Sequence, residues 1–425
     1  MIRLYHKEIG DVISQASIYL KENERTIIEN GKTIHGWHQH LGSNKIGVVA
    51  TAMAILFFKN ISKHPILNED DCLQFILDMQ HADGGWGFIT NTDANSNLLA
   101  TCWAIRTLSL YANIYQAAID KGLKWIFDRK SFGKGQDSGW SLYGAGESQT
   151  FATCFALQTI KELKKDNEYN ATVQSALQWL RETQDDSGAW RQNSAGSHSV
   201  FMTAMAVMTL GWYGKETDKK FVEKGLQCIK QRIDERGLAS NVMESEMELV
   251  EETVDGKRLR TPYFHYTIPY VVCAFMFAGH GDDVTVIRCL RLLKERMNNG
   301  HWKHPFIEDE DSAPIWALYD SVLAFCQFKE YWTYRDNKYT GAKAWYNKSF
   351  AVSYYRSWRS SVIRVRPCNP LRIYDLLGTE LWIKIMSVAL LSGVFYLGIT
   401  NFDTIQSCMP PFWIAVLESL VAALI

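Results

Sequence analysis

Apolar positions along the chain recur at helical spacing, and they do so in paired segments. Over residues 72–80 they fall three and four apart with charge on the opposite side, which predicts a helix with one buried face. The turn from His81 to Trp86 ends that helix on two glycines. Ser96-Asn97 then opens a second helix as an N-cap. This one is apolar nearly all round through Ala100 to Leu108, a pattern that predicts complete burial.

The pair returns along the chain. Residues 123–127 are followed by 148–157, and residues 176–180 by 201–206, in the same order. The turns carry Gly36-Trp37, Gly85-Trp86, Gly139-Trp140, Gly188-Ala189-Trp190 and Gly300-His301-Trp302. Downstream, Thr51, Thr101, Thr153, Thr203 and Thr267 stand in one register, and Ala317-Leu318 marks a sixth copy. The period is about 50 residues, lengthened once by a charged insertion over residues 243–260. One hairpin cannot bury its own apolar face. Six stacked with constant rotation can close into a ring of six inner and six outer helices, an open solenoid being the competing outcome. Ala100, Ala104, Ala152, Ala156, Ala204 and Ala206 would let the inner helices approach closely.

The block Leu-x-Phe/Trp-Ile/Leu, then Gln, then Gly-x-Trp resembles the QW motif of the terpenoid cyclase and protein prenyltransferase superfamily, the squalene-cyclase-type repeats. It is clearest at residues 73–86 and 177–190. It is degraded at 225–237, where Leu238 replaces Trp. The resemblance covers about residues 16–328 and implies an α/α toroid with an apolar, aromatic-lined cavity for isoprenoid chains. Other ring-shaped families share the barrel, so the fold leaves the ligand open.

Charge alters this picture only at the C-terminal end. The 45 basic and 46 acidic residues nearly cancel, which leaves no field to hold nucleic acid. Nine Cys without a Cys-x-x-Cys pair read as reduced core thiols, and the N-terminus carries no secretory signal. Arg356, Arg359, Arg364, Arg366 and Arg372, with no acidic residue among them, precede two apolar runs at 381–399 and 412–425. The first run is long enough to span a bilayer, and the arginines follow the positive-inside pattern. The expected architecture is therefore all-α. It comprises an α/α toroid of six helical-hairpin repeats (residues 1–345), a basic juxtamembrane linker (346–380), and C-terminal transmembrane segments forming a helical hairpin (381–425). This arrangement places the chain at a cell inner membrane with the toroid facing the cytoplasm.

In squalene-cyclase-type enzymes an Asp-x-Asp-Asp motif at the start of an inner helix donates a proton, which requires a carboxyl kept protonated in a dry pocket. No intact copy exists here. The nearest is Asp309-Glu310-Asp311-Ser312, which would make Asp311 the donor and Asp309 its tuning partner, with a plain acidic N-cap as the alternative. Asp320, inside the otherwise apolar sixth inner helix, must find a partner, line a wet cavity or hold a proton. Tyr319, Tyr266, His265, His198, Glu147 and Trp316 are candidate ligand contacts near inner-helix starts. Glu147 also reads as a cap and His198 as a loop residue.

The zinc-binding Asp-x-Cys pair of prenyltransferases is missing. His265, Cys273 and Asp320 are left as candidates only by default, and neither metal nor cofactor is expected. The insertion turns from acidic to basic around Asp255-Gly256, which suggests a hairpin or flap. The 15 Trp, 19 Tyr and 20 Phe either fill a core or line a cavity, and the turn tryptophans favour stacking between repeats. The implied function is a membrane-anchored, terpenoid-cyclase-like toroid that binds an apolar, isoprenoid-type ligand and cyclises it by protonation. The competing readings are a non-catalytic toroidal sensor or effector at the membrane, as in bacterial defence, and a scaffold for a protein partner.

Overall fold

The computed structural model describes residues 2–338, apart from residues 30, 39, 197 and 265 and the segments 42–45, 89–94, 131–137, 145–146, 194–195, 239–245, 253–257 and 304–312. Residues Ile2–Trp332 form one compact unit. The transmembrane part of the expected architecture does not stand: among the described residues, no helix is long and apolar enough to cross a membrane. The runs 381–399 and 412–425, like the linker at 346–380, lie outside the described residues. The described residues are mostly helical rather than all-α, since five two-stranded antiparallel sheets accompany the helices among them.

The hairpins form as the periodicity predicts. Outer helices are α1 (Ile2–Glu22), α3 (Glu69–Asp78), α5 (Ala112–Asp128), α7 (Asn170–Glu182), α9 (Lys219–Arg236) and α11 (Val284–Arg296). Inner helices are α2 (Val48–Leu56), α4 (Leu98–Leu108), α6 (Thr150–Glu162), α8 (Val200–Tyr213), α10 (Thr267–Phe277) and α12 (Ile315–Lys338). Outer helices bury one stripe, whereas every residue of α2 is buried and α4, α6, α8 and α10 are nearly so. The six inner alanines are all buried, as their small size suggested. Neighbouring inner helices pack in sequence from α2 to α10. The ring closes where Ala313–Pro314, entering α12, pair with His40–Leu41, before α2. On the outside, Lys294 of α11 pairs with Glu8 of α1 at 2.9 Å.

Backbone bonds lace the repeats together at one end of the barrel. The first-turn N–H groups of α2, α4 and α6 donate to the next repeat's turn: Val48 to Phe88 O (3.0 Å), Leu98 to Leu142 O (2.7 Å) and Thr150 to Gln192 O (2.8 Å). These donors have no partner inside their own helices, so a neighbouring carbonyl satisfies them. The same bonds tie the N-termini of α2, α4 and α6 to the neighbouring turns at one end of the barrel, which we term the mouth of the ring.

The five turn tryptophans are fully buried and do one repeated job. Each indole N–H donates to a carbonyl in the last turns of its own outer helix. Trp37 reaches Leu20, Trp86 Ile76, Trp140 Ile126, Trp190 Leu180 and Trp302 Leu293, all at 2.6–2.8 Å. In four repeats the tryptophan backbone N–H also donates to the register threonine of the inner helix: Thr51, Thr101, Thr153 and Thr203, at 2.9–3.2 Å. The following outer helix presses against the same ring. A Cβ on Gly122 would stand 2.8 Å from Trp86 and one on Gly225 3.0 Å from Trp190, so glycine is needed for that approach. The glutamine of the motif ties the same joint, Gln80 bonding Ala118 O and Gln184 bonding Phe221 O, both at 2.9 Å.

The fifth repeat departs from this plan where Leu238 replaces Trp. The insertion there forms an antiparallel hairpin, Glu246–Glu252 against Arg258–Phe264, in register from Glu246↔Phe264 to Glu252↔Arg258. Pro269 does not interrupt the fifth inner helix as its position suggests. It falls in the first turn of α10, where its missing N–H is an orphan in any case.

Candidate functional site

The acidic group that the sequence placed inside an apolar helix is the centre of the site. Asp320 lies in the second turn of α12 and is 6% exposed. Tyr270 of α10 donates its hydroxyl to Asp320 Oδ2 at 2.9 Å. Burial pushes the Asp320 carboxyl up to about 7, against the lowering effects of the Tyr270 bond and the Arg106 charge. Near neutrality a large share of the molecules therefore hold Asp320 as the neutral acid. With Oδ2 engaged by Tyr270, Oδ1 is the oxygen free to offer its proton elsewhere.

Aromatic side chains from five inner helices connect around this group. Trp103 of α4 meets Phe155 of α6 at 6.2 Å between centroids. Phe155 meets Phe151 at 4.8 Å, Phe151 meets Phe201 of α8 at 5.8 Å, and Phe201 meets Tyr270 at 4.7 Å. Tyr319, beside Asp320 on α12, closes the circuit edge-on to Trp103 at 5.2 Å. Helices α4 and α12 are separated around the ring by α2, so that last contact crosses the barrel interior. All these residues sit in the first two turns of their helices, toward the mouth. Most are buried, whereas Tyr270 is half-buried.

A charged pair lies next to the belt. Arg106 of α4 stacks on Trp103 at 4.4 Å and pairs with Glu162 of α6 at 2.6 Å. Burial works against the Arg106 charge, but Glu162 outweighs it and holds the guanidinium ionised. Tyr319 is pushed up by burial, and Cys102 rises to about 12 for the same reason, so neither phenolate nor thiolate is available there. Cys273 is likewise pushed up by burial, with the Asp320 charge adding to the effect. Among the described residues no cluster of three His, Cys, Asp or Glu could hold a metal ion.

The sequence candidates divide three ways. Asp320, Tyr319 and Trp316 share the start of α12, where Asp320 and Tyr319 join the belt and Trp316 is half-buried, and Tyr266 is buried at the N-cap of α10. His198 is instead tied to Asp185 in the fourth turn, and Glu147 is exposed before Ser148. Asp309, Asp311 and His265 lie outside the described residues. Sequence reasoning missed Tyr270, Trp103 and Arg106. Arg106 had a signal, as the one charged residue in the apolar stretch from Leu98 to Leu108. Tyr270 follows Pro269, a residue type that ordinarily breaks a helix, which hid its place inside α10.

Ring and site together define an α/α toroid with an aromatic interior and a buried acid near its mouth. Two family models match the chain: the prenyltransferase alpha-alpha toroid domain over residues 31–141, and the squalene-hopene cyclase C-terminal domain over residues 146–313. Over these two segments the chain is similar to the terpenoid cyclase and protein prenyltransferase superfamily, and its fold is terpene-cyclase-like.

Among solved structures, the chain is similar to the type II terpene cyclase MstE from Scytonema. One such structure, with the product merosterolic acid A, is 12% identical, covers 78% of this chain and 100% of its own, and has a TM-score of 0.49. Another, with the substrate geranylgeranyl dihydroxybenzoate, is 10% identical over 78% and 99%, with a TM-score of 0.47. A family 76 glycoside hydrolase from a bovine Bacteroides thetaiotaomicron strain is 8% identical over 76% and 78%, with a TM-score of 0.52, and shares the fold alone. No curated protein matches the chain.

Proposed function

We propose that the barrel binds an isoprenoid-type ligand against its aromatic belt and that Asp320 protonates it to start cyclisation. The observation that carries this reading is the placement of Asp320. It is a buried carboxyl on the belt, fixed through one oxygen by Tyr270 and held up to about 7. Proton transfer from Oδ1 to an alkene carbon or epoxide oxygen would leave a carboxylate stabilised by the Tyr270 hydroxyl and the Arg106 charge. Aromatic faces would stabilise the cation that forms on the ligand. The match to the squalene-hopene cyclase C-terminal domain supports the same substrate class.

The test is to incubate the purified full chain with squalene and with 2,3-oxidosqualene and to analyse products by mass spectrometry. Cyclic product from the parent protein and none from Asp320→Asn is the expected result. Product undiminished in Asp320→Asn would remove Asp320 as the acid. Absence of product from the parent, with no isoprenoid in its lipid extract, would overturn the reading as a whole.

A further inference from the structure

The mouth of the ring carries three buried side-chain amides with unsatisfied polar atoms. Asn97, 1% exposed, uses its carbonyl to cap α4, accepting from Ala100 N at 2.9 Å, and its Nδ2 has no acceptor. Gln149, 2% exposed, is the N-cap of α6 but makes no cap bond, and its Oε1 has no donor. Gln192, 9% exposed, leaves Nε2 without an acceptor. Burying such groups unpaired is costly.

The three are neighbours by backbone connection. Gln149 N donates to Trp140 O at 2.8 Å, Leu98 N, next to Asn97, donates to Leu142 O, and Thr150 N, next to Gln149, donates to Gln192 O. They therefore occupy one arc of the rim, built by the second, third and fourth repeats. Phe151 of the belt follows two residues after Gln149. The rim of the next inner helix is finished differently: Ser199 caps α8 with its own side chain. An arc with two free donors and one free acceptor is complementary to a group that both accepts and donates hydrogen bonds. Three neutral amides do not match a diphosphate, which calls for cations.

We infer that this arc binds the neutral polar end of an amphiphilic ligand, a hydroxyl, phenol or carboxamide, while its apolar body lies on the belt. Asn97 Nδ2 and Gln192 Nε2 donate to that group and Gln149 Oε1 accepts from it. The inference rests on the proposed isoprenoid-binding role and adds the chemistry of the head group. A ligand without a polar end leaves the three atoms buried and unpaired, and that is the source of discrimination.

The experiment measures binding of three matched probes, farnesol, β-farnesene and farnesyl diphosphate, to the full chain and to Gln149→Met and Gln192→Met. Farnesol is expected to bind on the order of ten- to a hundredfold more tightly than the other two. Each variant, close to glutamine in volume, should reduce that preference, leave farnesene binding unchanged, and unfold at no lower urea concentration than the parent. Equal binding of farnesol and farnesene would overturn the head-group site while leaving the isoprenoid reading intact. Variants that lose stability and farnesene binding together would show the amides to be structural and overturn the site. If no probe binds, the isoprenoid reading fails and the site with it.

Discussion

Two sets of aromatic rings lie inside this toroid, and the tryptophans among them differ in where their indole N–H groups go. At the turns, Trp37, Trp86, Trp140, Trp190 and Trp302 each place the indole N–H on an outer-helix carbonyl. In the belt, Trp103 is 2% exposed, yet its Nε1 has no acceptor, and its face is covered by Arg106. Burial alone does not separate scaffold from site. At the turns the satisfied indole holds two helices together, whereas the Trp103 indole N–H in the belt is buried without an acceptor.

The largest expected effect falls on the scaffold. Trp190→Ala removes a large buried ring, leaves Leu180 O without its indole donor and opens a void beneath Gly225. The cost should be about 3–5 kcal/mol, read as a lower urea midpoint with the slope unchanged. A loss under about 1 kcal/mol would mean that the neighbouring repeats close the gap and that the turn tryptophans are not clamps.

Next in size is the pH dependence of the site. Asp320 is held up to about 7, whereas an exposed aspartate titrates near about 3.9. Between those values the folded protein keeps a proton that the unfolded chain gives up. Stability attributable to Asp320 is therefore full below about pH 4 and is lost as pH rises to about 7, by at most about 4 kcal/mol. Asp320→Asn keeps an oxygen for the Tyr270 hydroxyl but does not titrate. Urea unfolding at pH 5 and pH 8 should show the variant gaining on the parent at the higher pH. A parent curve with the same pH slope as the variant would show that Asp320 titrates normally and would return it to the ordinary core.

This contrast also explains what the sequence could disclose. Six hairpins, their inner and outer faces and the turn tryptophans were legible because each feature is repeated, and repetition averages out local noise. Asp320 was legible because a lone carboxylate in an apolar helix has to be accounted for. The belt was not, since Trp103, Phe151, Phe155 and Phe201 look like any other apolar core residues. Only the closed ring brings Trp103 of the second repeat against Tyr319 of the sixth. The amides of the rim were hidden for the opposite reason: Asn97 reads as a good N-cap, and it is one, but the cap uses only its oxygen.

The smallest expected effect is the sharpest test of the comparison, because it applies one substitution to both sets of rings. Trp190→Phe keeps an aromatic ring but leaves Leu180 O with the Thr183 hydroxyl at 3.2 Å in place of its indole donor and loses volume beside Gly225, for about 2 kcal/mol. Trp103→Phe loses comparable volume and weakens the stacking of Arg106, which together cost about 1–2 kcal/mol. It also removes a buried N–H that has no acceptor, recovering about 1–3 kcal/mol. The two terms oppose each other, so the net change in urea-derived stability should stay within about 1 kcal/mol of zero. Ligand binding should respond in the reverse order, with Trp103→Phe weakening isoprenoid affinity and Trp190→Phe sparing it wherever the protein is folded. Equal losses of stability in the two variants would erase the distinction between clamp and belt.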